Sequence, residues 1–242
     1  MLLWEIKKLA KNRWNLFLFA ALMSFWGIRL YFAAQKGADR FFMTSISFWH
    51  LIGSLMIGFM ILFVNTRLFF WDEEEKVKEA ILATKSGKAR LFLFRMLANA
   101  LYTTGIAILF LFIQVLGFFI FNRYENLSIT FIVECLESFP YVWAGSVLFS
   151  VFAACVCTVF QSHMVAAVLC GILFGTTYLL RGNLLQPYSL EWFLEKGFFS
   201  YFIRAKDIVL DSQFMVLMIW YGIFLASVLV LTITLQIRRH EL

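Results

Sequence analysis

Charge is scarce in this sequence. Asp, Glu, Lys and Arg make up 15% of its 242 residues, whereas a typical soluble domain carries about 25%. Apolar residues take their place, since 62% of the chain is hydrophobic and 30 residues are Phe. One water-soluble core cannot bury that much apolar surface. The composition therefore excludes an ordinary soluble domain and predicts an all-α membrane protein whose main solvent is lipid.

Cysteine is also infrequent, and its placement does not favour a metal site or a disulfide. Three of the four cysteines lie in apolar runs. Cys155 and Cys157 point to different faces of a helix, because residues two apart do not share a face. We interpret the cysteines as small buried apolar residues, in preference to metal ligands. The four are Cys135, Cys155, Cys157 and Cys170.

Nucleotide-binding and catalytic motifs are missing as well. Residues 84–88 contain Gly-Lys but form no Walker A loop, because Leu82 replaces its first glycine and Ala89 its magnesium-binding hydroxyl residue. The H-E-x-x-H pattern of zinc proteases is absent, and the histidines at 50, 163 and 240 are scattered. We therefore predict that the chain is not an enzyme and has no cofactor. Its net charge of +6 comes without a basic, aromatic-rich groove for nucleic acid.

Uncharged runs long enough to cross a bilayer recur along the chain. A spanning helix needs about 20 apolar residues. Residues 138–180 are 43 positions without a charge, so we place a turn at the polar residues Gln161, Ser162 and His163. The predicted spans are 15–34, 46–67, 96–121, 139–160, 164–180 and 213–237. They predict a single domain over residues 1–242 with six transmembrane helices.

Lysine and arginine are divided unequally between the two sides that six spans define. The side with both termini and residues 67–95 holds 13 of the 21, the other side holds 7, and Arg29 lies within the first span. By the positive-inside rule, both termini are cytoplasmic in a multi-pass protein of the cell membrane. Arg29 can snorkel to the headgroups at the far end of its span. Before this span, apolar residues at helical spacing predict an amphipathic helix on the inner leaflet.

The densest charged stretch, residues 72–95, begins as a short capped helix. Its acidic start is Asp72, Glu73, Glu74 and Glu75. Asp72 is a suitable N-cap, Glu75 completes a capping box, and the acidic charges favour the positive end of the helix dipole. An apolar stripe follows at i, i+3, i+4 and i+7: Val77, Ala80, Ile81 and Thr84. Lys85 supplies a cation near the end, and Gly87 is placed to stop the helix.

This amphipathic helix, over about 73–85, is too short to be stable alone. Its apolar stripe must therefore be buried. One interpretation places the stripe on the protein's own cytoplasmic side or on lipid. The other makes the helix a docking element for a soluble partner.

A family resemblance favours the second interpretation. The run EKVKEAILATKSGKAR, residues 75–90, resembles the first cytoplasmic loop of ABC-2-type permeases, the membrane subunits of ATP-driven exporters. Matching positions are Glu75, Glu79, Leu82, Ala83, Thr84 and Arg90. The chain departs at Lys76-Val77, where the family often has Gly-Thr, and at Lys85, where it often has Pro. The layout is similar too, with a coupling helix after span two and a re-entrant outer segment, here 182–211, before the last span.

The resemblance implies that the chain is the permease subunit of a bacterial exporter. ATP and magnesium would bind to a separate ATPase subunit, and a second permease copy or a homologous permease would complete the path in the lipid bilayer. The cargo would be hydrophobic or amphipathic, with an antimicrobial or bacteriocin-like peptide as the first expectation. The residues expected to couple to the ATPase are Asp72, Glu73, Glu74, Glu75, Val77, Glu79, Ala80, Ile81, Thr84 and Lys85.

The alternative is an ATP-independent channel or secondary transporter. Such proteins usually have ionisable residues near the middle of the bilayer, and the predicted spans two to six have almost none. They contain hydroxyl and amide residues instead, among them Asn99, Thr103, Thr104, Gln114, Ser146, Ser150 and Thr158. We interpret these polar residues as contacts between helices rather than as a substrate path.

Overall fold

The structure is a computed structural model, and it describes residues 13–47, 57–63, 87–122, 128–160, 162–180, 219, 222–223 and 225–234. Within these ranges every regular element is a helix and there is no strand. The predicted all-α class is therefore confirmed for the described residues. Both the coupling helix over 73–85 and the re-entrant segment over 182–211 lie outside them.

Five helices have defined bounds. They are α1 (Arg13–Ala34), α2 (Ala38–Ser47), α3 (Gly87–Phe121), α4 (Ser128–Phe160) and α5 (His163–Leu180). Residues 57–63 and Leu225–Thr234 are also helical. Three stretches are long and apolar enough to cross a membrane: Phe17–Ala34, Phe92–Phe121 and Ile129–Phe160. By length and composition these are helices of a membrane-embedded protein, whereas the count of six spans stays a prediction.

Two helices extend well beyond the charge-free runs of the sequence. Helix α3 begins at Gly87, ahead of the predicted span start at 96, and includes Arg95. Helix α4 begins at Ser128, ahead of 139, and includes Glu134. Charge is a poor guide to where a helix begins, because the backbone hydrogen bonds that define the helix are satisfied within the segment whether it lies in lipid or in water.

A tight turn joins α1 to α2. Gly37 adopts a φ of 107°, a left-handed conformation that strongly favours glycine. Lys36 N donates to the carbonyl of Ala33 (3.0 Å), and Phe41 N donates to that of Gly37 (3.0 Å). Helix α2 is amphipathic, with Phe41 and Ser45 buried and Arg40 exposed. The turn thus folds α2 back so that its apolar side faces the bundle.

Helix α4 has the most extensive contacts of the described helices, since it packs on α3, α5 and α2. Helix α3 packs most extensively on α4 and also contacts α1. The main core cluster draws its rings and aliphatic side chains from α1, α2, α3, α4, α5 and residues 57–63. A second cluster lies toward the N-terminus of α3, where Phe92 and Met96 pack on Ala154 and Cys155 of α4. A movement of α3 would therefore act directly on the helices that it contacts.

Candidate functional site

The ten predicted coupling residues, Asp72 to Lys85, lie outside the described residues. Their role stays a prediction. What the structure does describe is the helix that follows them, α3, and the contacts along its length. These contacts fall into two groups of different chemistry, and together they form the candidate site.

Hydrogen bonds join α3 to α4 in the first group. Asn99 Nδ2 donates to the carbonyl of Ser150 (3.1 Å), and Trp143 Nε1 donates to Thr104 Oγ1 (3.0 Å). Asn99 and Ser150 are fully buried. A polar group without a partner is unfavourable in an apolar bundle. These bonds therefore fix the register of α3 against α4 at two points.

A third amide connects α3 to α2. Gln114 Nε2 donates to the carbonyl of Ser45 (2.9 Å), and both residues are buried. The side chain spans from one helix to the backbone of another, which is how polar residues join helices in lipid. The interpretation of Asn99, Thr104 and Gln114 as contacts between helices is confirmed.

The hydroxyl residues of α4 behave differently. Ser146 Oγ bonds to the carbonyl of Val142, Ser150 Oγ to that of Val147 (2.8 Å), and Thr158 Oγ1 to that of Cys155 (2.8 Å). All these partners lie within the same helix, because a short side chain reaches its own preceding turn more easily than a neighbouring helix. The expectation that the hydroxyls would join helices is therefore wrong for these three side chains.

A buried polar strip marks the N-terminal half of α3. Arg95, Asn99 and Thr103 follow one another at i, i+4 and i+8, and all three are buried. Asn99 Oδ1 has no hydrogen-bond partner among the described residues. A buried arginine within an apolar helix is unfavourable in lipid and is retained where it has a role. It lies near the end of α3 that follows the predicted coupling helix.

Stacked rings form the second group of contacts, toward the C-terminus of α3. The ring of Phe118 lies between those of Phe131 on α4 and Phe41 on α2. The ring centroids are 3.9 Å apart at an interplanar angle of 8° for Phe131, and 5.1 Å apart at 29° for Phe41. All three side chains are fully buried. We call these three residues the aromatic stack.

Helix α1 meets α3 next to the aromatic stack. The indole of Trp26 lies directly over Gly117, where a β-carbon would overlap its ring atoms. Phe19 adds an edge-to-face contact with Phe110 (5.6 Å between centroids). Glycine lets the two helices approach closely, as small residues do in membrane bundles.

Helix α4 continues through Pro140, but its backbone hydrogen bonding is interrupted there. Proline has no N–H, so the carbonyl of Leu136 loses its partner in the helix. Two residues earlier, Ser138 Oγ donates to the carbonyls of Glu134 (2.8 Å) and Cys135 (3.2 Å). Such bonds to the preceding turn bend helices slightly. We call residues 128–139, which precede this proline, the arm, and residues 141–160 the body of α4.

Apart from the buried Arg95, the charged residues of the three apolar stretches are Arg29, Glu134 and Glu137, which lie toward helix ends. Arg29 is exposed near the end of α1, with its guanidinium carbon 5.9 Å from the centroid of the Phe25 ring. Glu134 and Glu137 lie on the arm, where Glu137 is exposed. These positions suit contact with headgroups or water rather than an ion path through the middle of a bilayer.

The four cysteines are buried free thiols. Across the described part of the chain, no group of three or more His, Cys, Asp or Glu residues is arranged to hold a metal ion. The exposed surface of α3 has a shallow apolar groove of about 380 Å³. Its lining residues are Phe112, Val115, Leu116, Phe119 and Ile120. They offer contacts to acyl chains but no polar group that would orient a ligand.

Comparisons with protein families, with curated proteins and with solved structures find no match to this chain.

Sequence reasoning missed several residues of this site. The aromatic stack could not be predicted, because the chain has 30 phenylalanines and no local sequence pattern indicates which of their rings are in contact. Trp143 was not singled out, although an indole N–H in an uncharged run needs an acceptor. Pro140 is one of only 2 prolines in the chain, and this rarity was the signal that could have found it.

Proposed function

We propose that this chain is the permease subunit of an ATP-driven exporter of the ABC-2 type. The chain would be a multi-pass protein of the cell membrane with cytoplasmic termini. It would act with a separate ATPase and with a second permease copy or a homologous permease. The observation that carries the proposal is the resemblance of residues 75–90 to the coupling loop of such permeases. Two features of the structure support it.

The first feature is the length and start of α3. This helix follows the predicted coupling helix after a single residue, since that helix ends at about 85 and α3 begins at Gly87. It contains 35 residues, which is about 50 Å at 1.5 Å per residue. That exceeds the roughly 30 Å thickness of the hydrocarbon core. A force on residues 73–85 would thus enter a helix that reaches across the membrane.

The second feature is the way in which α3 contacts its neighbours. Asn99, Thr104 and Gln114 connect it by hydrogen bonds to α4 and α2. A rigid helix tied to two others moves them when it is tilted, which is the rigid-body mode of domain switching. The apolar, aromatic interior suits a hydrophobic or amphipathic cargo, and we propose an amphipathic peptide.

Purification from native membranes tests this function. We expect an ATPase subunit to co-purify with the tagged chain. Replacing Val77 and Ile81 by Asp should abolish the association, because charges on the apolar stripe prevent its burial, while insertion in the membrane is unchanged. The control is Lys76→Asp with Lys78→Asp, which introduces the same two acidic residues in the same segment but outside the apolar stripe, and it should leave the association intact.

Two results would contradict the proposal. One is a chain that purifies without any ATPase and still transports after deletion of residues 73–85. The other is an ATP-independent ion current when the purified chain is placed in liposomes, which would indicate a channel instead.

A further inference from the structure

The two parts of α4 on either side of Pro140 are held very differently. The buried residues of the arm are Phe131, Cys135 and Ser138, which form a single stripe. Its other described positions are exposed or half-buried, with Ile129 78% exposed and Phe139 packed at the edge of the core cluster. In the body, by contrast, buried side chains lie on several faces of the helix, among them Val142, Ala144, Ser146, Leu148, Phe149, Ser150, Ala153, Ala154, Cys155 and Cys157.

Two hydrogen bonds between α3 and α4 lie on the body side of Pro140. Ser150 accepts from Asn99, and Trp143 donates to Thr104. On the arm, the ring of Phe131 stacks on that of Phe118, and Phe42 of α2 adds an edge contact with Phe131. A face-to-face pair of rings has no fixed donor and acceptor, so it can separate without leaving a polar group unpaired.

Pro140 provides a place where the helix can bend. It removes one backbone hydrogen bond, and Ser138 adds bonds to the preceding turn that soften it further. The proline ring itself is exposed. Its contribution is therefore to the backbone of α4 rather than to packing.

We propose that the arm is a gate, with Pro140 as its hinge and the aromatic stack as its latch. When Phe131 leaves Phe118, the arm swings away from α2 and α3 while the body stays bound to α3. The movement opens the junction of α2, α3 and α4 at the end where the stack lies. This gate goes beyond the proposed exporter function, since it depends only on contacts within this chain.

Cys135 allows the gate to be measured, because it lies on the buried stripe of the arm and is 1% exposed. We would replace Cys155, Cys157 and Cys170 by Ala, place the purified chain in lipid nanodiscs, and follow modification by N-ethylmaleimide with mass spectrometry. Phe131→Ala should raise the modification rate of Cys135 by about tenfold, the effect of roughly 1.4 kcal/mol on the opening equilibrium. Pro140→Ala should lower it roughly threefold to tenfold, since it restores one backbone hydrogen bond.

Two controls separate a gate from general loosening. Ile129→Ala changes an exposed residue on the same arm and should leave the rate at Cys135 unchanged. A second background that keeps only Cys155, a buried thiol of the body, should show no increase with Phe131→Ala. An equal increase at Cys155 would mean that the variant loosens the whole bundle, and an unchanged rate in Pro140→Ala would mean that Pro140 is no hinge. Either result overturns the proposal.

Discussion

Helices α3 and α4 meet through different chemistry at the two ends of their interface. Toward the N-terminus of α3, Asn99 and Thr104 are hydrogen-bonded to α4. Toward the C-terminus, Phe118 is stacked between Phe41 and Phe131. Hydrogen bonds are directional and define one register, whereas stacked rings tolerate offsets. The difference teaches that one end of the interface is suited to keep its alignment and the other to rearrange.

The comparison also bears on energy. Lipid is as apolar as a phenylalanine ring, so no hydrophobic transfer drives helices together within the membrane. Close packing and polar bonds remain. The aromatic stack and the Trp26–Gly117 contact supply the packing, and the three side-chain bonds of α3 supply the polar part. Substitutions can weigh the two contributions against each other.

The largest effect is expected from Phe118→Ala, which removes the middle ring of the stack. Replacing a buried aromatic residue by alanine in a soluble core costs about 3–5 kcal/mol. We expect about 2–3 kcal/mol here, because lipid removes the transfer term and leaves the cavity term. The free energy of unfolding, measured by detergent titration, checks it. Phe112→Ala is the matched control, since this ring on the same helix is 60% exposed, and an equal loss there would show that the stack is not special.

A smaller effect is expected from Gly117→Ala. The new β-carbon would overlap the indole of Trp26, and overpacking of this kind typically costs about 1–3 kcal/mol. Gly105→Ala on the same helix meets nothing within 4 Å and should be neutral or stabilising, because alanine is the better helix former by up to about 1 kcal/mol. Thermal unfolding of the two variants side by side provides the measurement. If both shift in the same direction, the contact with α1 does not depend on this glycine.

The smallest effect is expected from the bond between Trp143 and Thr104. A double-mutant cycle with Trp143→Phe and Thr104→Val should give a coupling of about 0.6 kcal/mol, the average for side-chain bonds between helices in membranes. The value should stay well below the effect of Phe118→Ala. A coupling energy as large as the destabilisation by Phe118→Ala would contradict the expected difference between hydrogen-bonded and stacked contacts.

Much of this arrangement was accessible from sequence because lipid restricts the choices. Long uncharged runs predicted apolar helices, and the polar residues Gln161, Ser162 and His163 predicted a break where α4 ends at Phe160 and α5 begins at His163. In α5 that break even has a local cause, since Ser162 Oγ accepts from Val165 N (3.4 Å) at the helix start.

The contacts between helices could not be predicted, because the hydrophobic periodicity of a sequence carries no information on which helices lie close together. Asn99 was expected to contact another helix, but its partner, the carbonyl of Ser150, belongs to the backbone and has no signature in sequence. The charge of Arg95 limits the uncharged run to residues from 96 onward, whereas α3 begins at Gly87 and buries Arg95. The predicted coupling residues, Asp72 to Lys85, stay a prediction.

The contact between Trp26 and Gly117 has a consequence for the variation that this chain tolerates. The two positions are far apart in the sequence, yet the indole of Trp26 occupies the volume that a side chain at 117 would need. In other chains of the same ancestry, a larger residue at 117 should therefore occur only together with a smaller one at 26. Such paired changes would make this couple a sequence marker for the approach of the first helix to the third.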